Sequence, residues 1–144
     1  DNMNPQDLVS ILKSQHQLLQ FDLTSTLEEA SNQNGINSEK ISELLTKFKT
    51  DLLEHLKLEN EEFYPNYFSK KNNINANITS EDAFYKQMDD IAKAVMSFLE
   101  KYSTPEIIRN SSTDFKQELS GIIQTLKLRI ETEEDGIFEI YLSM

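Results

Sequence analysis

The sequence predicts an all-α protein, an up-down-up-down antiparallel four-helix bundle that forms a single domain over residues 1–144. Three observations support this fold class. The chain contains only three Gly and three Pro, and its many Leu, Ile, Glu, Lys and Gln residues favour helix. Apolar residues recur at three- and four-residue spacing along four segments, which is typical of amphipathic helices. The predicted helices cover about residues 4–33, 37–68, 80–102 and 112–141.

Local signals mark the ends of these helices. Asn4-Pro5 begins the first helix, because proline at the first helical position loses no hydrogen bond. Gly35 is expected to end this region in a left-handed conformation. Asn37-Ser38 opens the second helix, and Pro65 is expected to kink or fray its last turns. An Asn-rich polar stretch, residues 69–79, is expected to connect the second helix to the third.

Composition and charge exclude several functional classes. The net charge is −11, and Lys70-Lys71 is the longest basic run, so the sequence argues against a nucleic-acid or anionic-membrane binder. The absence of cysteine excludes disulfides and thiolate metal sites. The sequence has no apolar run of membrane-spanning length and no signal peptide, which predicts a cytoplasmic protein. It also has no pattern of a nucleophile with its base, so we do not expect an enzyme.

The second helix carries a histidine and a carboxylate on its apolar stripe. His55 and Glu59 are four residues apart, so they lie one turn apart on the same helix face. His16 falls on the apolar stripe of the first helix. Buried polar groups of this kind require either a metal ion or a satisfied hydrogen-bond network. The residue pattern alone leaves both alternatives open.

The second half of the chain partly repeats the first. His16 and His55 are 39 residues apart, and Met88 and Arg129 are 41 residues apart. Glu133 follows Arg129 at the same spacing at which Glu59 follows His55. Antiparallel packing would place all of these residues at similar heights in the bundle. We therefore expect one internal chamber lined by His16, His55, Glu59, Met88, Arg129 and Glu133.

These residues make nearly the whole chain resemble the hemerythrin-like, or HHE cation-binding, domain family. The resemblance implies that each half supplies one His from its first helix and a His-x-x-x-Glu from its second. In the family the carboxylates bridge two irons, and an open position binds dioxygen or nitric oxide. The first half matches in full at His16, His55 and Glu59. The second half matches only at Glu133, because Met88 and Arg129 stand where histidines are expected.

The departures from the family pattern argue against a full di-iron centre. Arg129 cannot lose its charge in a protein, so it is expected to occupy the second metal position and to pair with Glu133 and Glu59. A single iron, zinc or manganese ion could still bind. The expected ligands are His16, His55, Glu59 and Glu133, with Glu134 as an alternative ligand.

Two functions therefore follow from the sequence. The first is a cation-binding bundle with a degraded di-iron site, which binds at most one metal and a small gas in sensing, storage or stress response. The second is a metal-free bundle in which both histidines are hydrogen-bonded and Arg129 replaces the second metal. Such a bundle would act as a regulator, and the acidic chain would suit a protein partner with a basic surface.

Overall fold

The computed structural model describes residues 3–73 and 78–144, with side chains described for residues 3–71 and 85–144. Within these ranges all regular secondary structure is helical, which confirms the all-α prediction there. Two π-helical turns interrupt the helices: the first π turn, Glu59–Phe63, joins α2 to α3, and the second π turn, Glu133–Ile137, joins α6 to α7. The α-helices are α1 (Pro5–Ala30), α2 (Ser38–Leu58), α3 (Tyr64–Asn73), α4 (Ile78–Lys101), α5 (Pro105–Asn110), α6 (Ser112–Thr132) and α7 (Phe138–Ser143).

The predicted signals at the starts of α1 and α2 are confirmed. The side chains of Asn4 and Asn37 each accept a hydrogen bond from a backbone N–H in the first turn of their helix. Gly35 adopts a φ of 104°, in the left-handed region expected for it. It does not itself end α1, however, because that helix ends at Ala30, three residues before the predicted boundary.

The later boundaries differ in detail. The helix does not fray at Pro65, because α3 continues to Asn73. Pro65 is the second residue after the first π turn, and the start of a new α-helical segment tolerates a missing N–H. The helix predicted from residue 80 begins at Ile78. Residues 74–77, which belong to the predicted connection 69–79, lie outside the described residues. The last helical region extends two residues past the predicted 112–141.

The polar chamber separates two apolar clusters. α1 packs along α2 and α6, and α4 packs mainly on α6. One cluster includes Leu19, Phe48 and Phe115, and the other includes Leu12, Phe63 and Phe138. Five buried polar residues lie between these clusters, on α1, α2, α6 and the two π turns: His16, His55, Glu59, Arg129 and Glu133. No helix in the described ranges has the length and apolarity that crossing a membrane requires.

Candidate metal centre

Four of the predicted site residues come together in the interior. One donor atom from each of His16, His55, Glu59 and Glu133 lies within 4.8 Å of all the others. Each of these side chains is at most 2% exposed. They are contributed by α1, by α2 and by the first residues of the two π turns. The predicted convergence of two imidazoles and two carboxylates is therefore what the structure contains.

The two π turns orient both carboxylates and the aromatic rings beside them. The carbonyl of Glu59 accepts the backbone N–H of Tyr64, and the carbonyl of Glu133 accepts that of Phe138. This five-residue hydrogen bond adds a residue to the turn, which rotates the following residues towards the chamber. The hydroxyl of Tyr64 consequently donates to Oε2 of Glu133 at 2.6 Å. The ring of Phe138 stacks on the ring of His16, with centroids 5.7 Å apart.

His55 presents an unprotonated nitrogen to the chamber. Its Nδ1 lies 2.6 Å from the amide oxygen of Gln15, and this nitrogen must donate because the oxygen can only accept. Burial, together with the nearby charges of His16 and Arg129, lowers the pKa of His55 to about 3. The ring is therefore neutral, and Nε2 carries a lone pair that faces Oε1 of Glu59 at 3.3 Å. This tautomer, held by a partner on the other nitrogen, is the form that binds metals.

His16 is held from both sides by carboxylates. Its Nε2 lies 2.9 Å from Oε1 of Glu133, and its Nδ1 lies 2.7 Å from Oε2 of Glu134. Burial disfavours the charged ring, but the hydrogen bond and charge of Glu133 outweigh it, so the pKa of His16 is raised. Glu134 is 29% exposed and contacts the outer nitrogen of the ring. Glu134 therefore holds His16 by its outer nitrogen and is not one of the four residues whose donor atoms converge.

Arg129 brings a permanent positive charge into the chamber. Its Nη2 lies 2.7 Å from Oε1 of Glu59 and 3.7 Å from Oε2 of Glu133, so Glu59 is the closer of the two predicted partners. Its Nη1 donates to the backbone carbonyl of Met88 at 2.6 Å. Burial opposes the guanidinium charge, but the charges of Glu59 and Glu133 outweigh it and raise the pKa of Arg129. The guanidinium of α6 thus contacts both the first π turn and α4.

The donor set could hold a metal ion. Oε2 of Glu59 is buried and has no hydrogen-bond partner among the described residues. Burial and the charge of Glu59 raise the pKa of Glu133, because two carboxylates crowd the same site. Two imidazoles with two carboxylates are ligands that iron(II), manganese and zinc accept. A cation among these four donor atoms would relieve the repulsion between the two acids.

An apolar cavity adjoins the two histidines. Its volume is about 10 Å³, which is space for roughly one water-sized molecule. His16, His55 and Arg129 form one side of it, and apolar side chains form most of the rest. Those side chains include Leu19, Leu52, Ile91, Val95 and Leu126.

Two parts of this site were not predicted from the sequence. Gln15 was overlooked because it is a neutral residue beside the apolar stripe, although it directly precedes His16. The π turns are not marked by any general sequence pattern that identifies such turns. The matching runs Glu59…Phe63-Tyr64 and Glu133…Ile137-Phe138 were the available signal, since both turns begin at the repeated glutamate.

The chain was compared with known families, curated proteins and solved structures. Residues 7–141 match the Hemerythrin HHE cation binding domain. Neither the curated proteins nor the solved structures give a match. The matched range contains all four residues of the buried cluster together with Met88 and Arg129. The chain therefore belongs to the hemerythrin HHE cation-binding domain family.

Proposed function

We propose that this domain binds one divalent cation, such as iron(II), through His16, His55, Glu59 and Glu133. One observation carries the proposal: the lone pair of His55 Nε2 faces an oxygen of Glu59 at 3.3 Å, with no proton available to join the two acceptors. The other oxygen of Glu59 is buried and unpartnered. A cation would satisfy two such facing acceptors and could also bind the unpartnered oxygen of the same carboxylate.

The charges in the chamber support one cation and not two. Arg129 sits against Glu59 and near Glu133, where its positive charge repels a second metal. Met88 contributes its backbone carbonyl to Arg129. Binding at Nε2 of His16 would displace the proton shared with Glu133, while Glu134 would stay as the partner of Nδ1. Arg129 thus acts as the built-in replacement of the second metal.

We further propose a role in sensing, storage or stress response that involves a small gas. The apolar cavity beside His16 and His55 supports this role, because a small uncharged molecule suits its size and lining. A bound iron would supply an open coordination position for such a molecule. The residues of the chain would hold the metal, exclude water and keep the neighbouring charges balanced.

Side-chain contacts between neighbouring helices support an up-down-up-down topology. Gln15 pairs with His55, and Asp22 pairs with Lys47, so α1 and α2 run in opposite directions. Met88 contacts Arg129, and Phe98 stacks on Phe115, so α4 and α6 also run in opposite directions. We infer that the four long helical segments form the antiparallel bundle predicted from the sequence.

Metal titration of the chelator-treated protein tests the proposal. We expect one equivalent of iron(II), manganese or zinc per chain and a rise in Tm that grows with metal concentration. Glu59→Gln should lose most of this response, whereas Glu61→Gln is the matched control because Glu61 is exposed in the same π turn. Binding of two metal equivalents per chain would contradict the proposal that Arg129 replaces the second metal. Absence of any binding would contradict the proposed metal site.

A metal-free regulator is the second candidate, and a separate observation supports it. Both nitrogens of His16 already have carboxylate partners, and Arg129 already compensates Glu59. The chamber can therefore balance its charge without a metal. In that case the Tm would be unaffected by any of the three metals, and the acidic domain would act by binding a protein partner with a basic surface.

A further inference from the structure

The outer face of α1 carries apolar side chains that nothing in the described structure covers. Phe21 is 67% exposed, which makes it the most exposed large apolar side chain in the described ranges. Leu18, one turn earlier, is 40% exposed. Uncharged polar residues surround this pair. We call this surface the α1 face, formed by Ser14, Gln17, Leu18, Phe21, Thr24 and Ser25.

The α1 face lacks charge in a chain that is otherwise strongly charged. Between residues 14 and 25, the titratable side chains are those of His16 and Asp22, and both are buried. The whole chain has 25 acidic and 14 basic residues and a net charge of −11. A basic partner would gain no attraction from an uncharged surface. Two copies of this chain carry the same net charge, and an uncharged face reduces the repulsion between them where they touch.

We propose that two copies of this chain associate through their α1 faces as an antiparallel, two-fold symmetric pair. In such a pair the same surface is used twice, so every contact occurs twice. Phe21 lies near the symmetry axis and packs against its counterpart. The proposal is independent of the metal, because every residue of the α1 face points away from the buried cluster.

The charges that flank the α1 face are complementary under this symmetry. Lys13 lies eight residues before Phe21, and Glu28 lies seven residues after it. Antiparallel pairing about a centre near Phe21 therefore places Lys13 of one copy opposite Glu28 of the other, at both ends. Neither residue forms an ion pair within the described part of the chain. Each is thus available for the reciprocal pair.

The size of the contact predicts a weak dimer. A single helix face buries less than the roughly 800 Å² per partner of a standard interface. Sedimentation velocity over roughly 1–500 µM should therefore show a monomer that converts to a dimer as concentration rises. A purely monomeric protein at every concentration would overturn the proposal.

Matched variants locate the interface. Phe21→Ser should weaken the dimer by about 30-fold or more, because a central aromatic anchor is removed twice. Leu53→Ser is the control, since Leu53 is a 47% exposed apolar residue on α2 and should leave the dissociation constant within about twofold. Equal effects of the two variants on the dissociation constant would indicate a nonspecific contact and would refute the proposal that the α1 face forms the interface.

A charge swap tests the orientation of the pair. Lys13→Glu should weaken the dimer by about 3-fold to 10-fold, because two exposed ion pairs become repulsive. Combining it with Glu28→Lys should restore the original constant, since the pairs re-form with reversed signs. Failure of the double variant to recover would refute the antiparallel arrangement. Neither Lys13 nor Glu28 is buried, so circular dichroism should report an unchanged fold.

Discussion

Replacing Arg129 with methionine removes the buried positive charge while keeping an unbranched side chain. Glu59 is fully buried, and its Oε1 would lose the ion pair at 2.7 Å. Its Oε2 already lacks a partner, so the carboxylate would be left with His55 at 3.3 Å as its remaining contact among the described residues. Glu133 would also lose the guanidinium at 3.7 Å. Breaking one side of a buried ion pair costs about 3–5 kcal/mol.

That loss is large compared with the stability of a small domain. Folded domains are stable by about 5–15 kcal/mol, so the variant should unfold far more readily. At about 2–4 °C per kcal/mol, the expected fall in Tm is roughly 6–20 °C. Thermal unfolding followed by circular dichroism, in the presence of a chelator, measures it. Arg109→Met is the matched control, because Arg109 pairs with Glu39 on the surface and its loss should cost at most about 1 kcal/mol.

Metal addition separates this explanation from a simple packing defect. If Arg129 replaces a metal, its removal should increase cation affinity, because the like charge is gone. A metal at about 100 times its dissociation constant should then restore about 2.7 kcal/mol of the lost stability. If Arg129→Met stays within about 1 kcal/mol of the native chain in chelator, Arg129 does not compensate the charge of Glu59. If manganese and zinc stabilise the variant no more than the native chain, Arg129 does not replace a metal.

Three further predictions concern the same interior. Met88→His combined with Arg129→His supplies the two histidines that the family pattern lacks, so the double variant should bind a second metal equivalent, measured by elemental analysis. Tyr64→Phe should cost about 1.5–3 kcal/mol in denaturant unfolding, because buried Glu133 loses a hydrogen bond of 2.6 Å. Burial and the adjacent Asp51 raise the pKa of Asp22 to about 6 in the folded state. The folded state then binds more protons than the unfolded state between pH 4 and 6, so Asp22 destabilises the domain as the pH rises. Denaturant unfolding between pH 4 and 7 should therefore show that Asp22→Asn loses less stability than the native chain as the pH rises.

The sequence was sufficient to predict the all-α class and the membership of the central cluster. Histidine and glutamate at four-residue spacing on an apolar stripe have few explanations other than a buried site. Arg129 was predicted to pair inside the chamber for the same reason, and it does so with Glu59. These predictions succeed because burial follows from helical periodicity, which is local and can be read residue by residue.

The parts that the sequence did not reveal depend on contacts between helices. Nothing about Gln15 distinguishes it from other polar residues until α2 places His55 within 2.6 Å of it. The contact of Glu134 depends on the second π turn, because Glu133 and Glu134 are its first two residues and the turn determines which of them faces the interior. The bounds of α3 depend on the first π turn, which allows the helix to pass Pro65.

Different residues of the chamber connect different pairs of helices. Arg129 links α6 to Glu59 and to the Met88 carbonyl of α4. His16 and His55 belong to α1 and α2, and His55 shares no proton with the carboxylates. A metal bound as proposed would join α1 and α2 through the two histidines, and would join both helices to the two π turns through Glu59 and Glu133. If Arg129 replaces a second metal, as proposed, its contacts with Glu59 and with the Met88 carbonyl would hold α4 and α6 to the site, and loss of the metal would be felt at His55, which has no proton to share with Glu59.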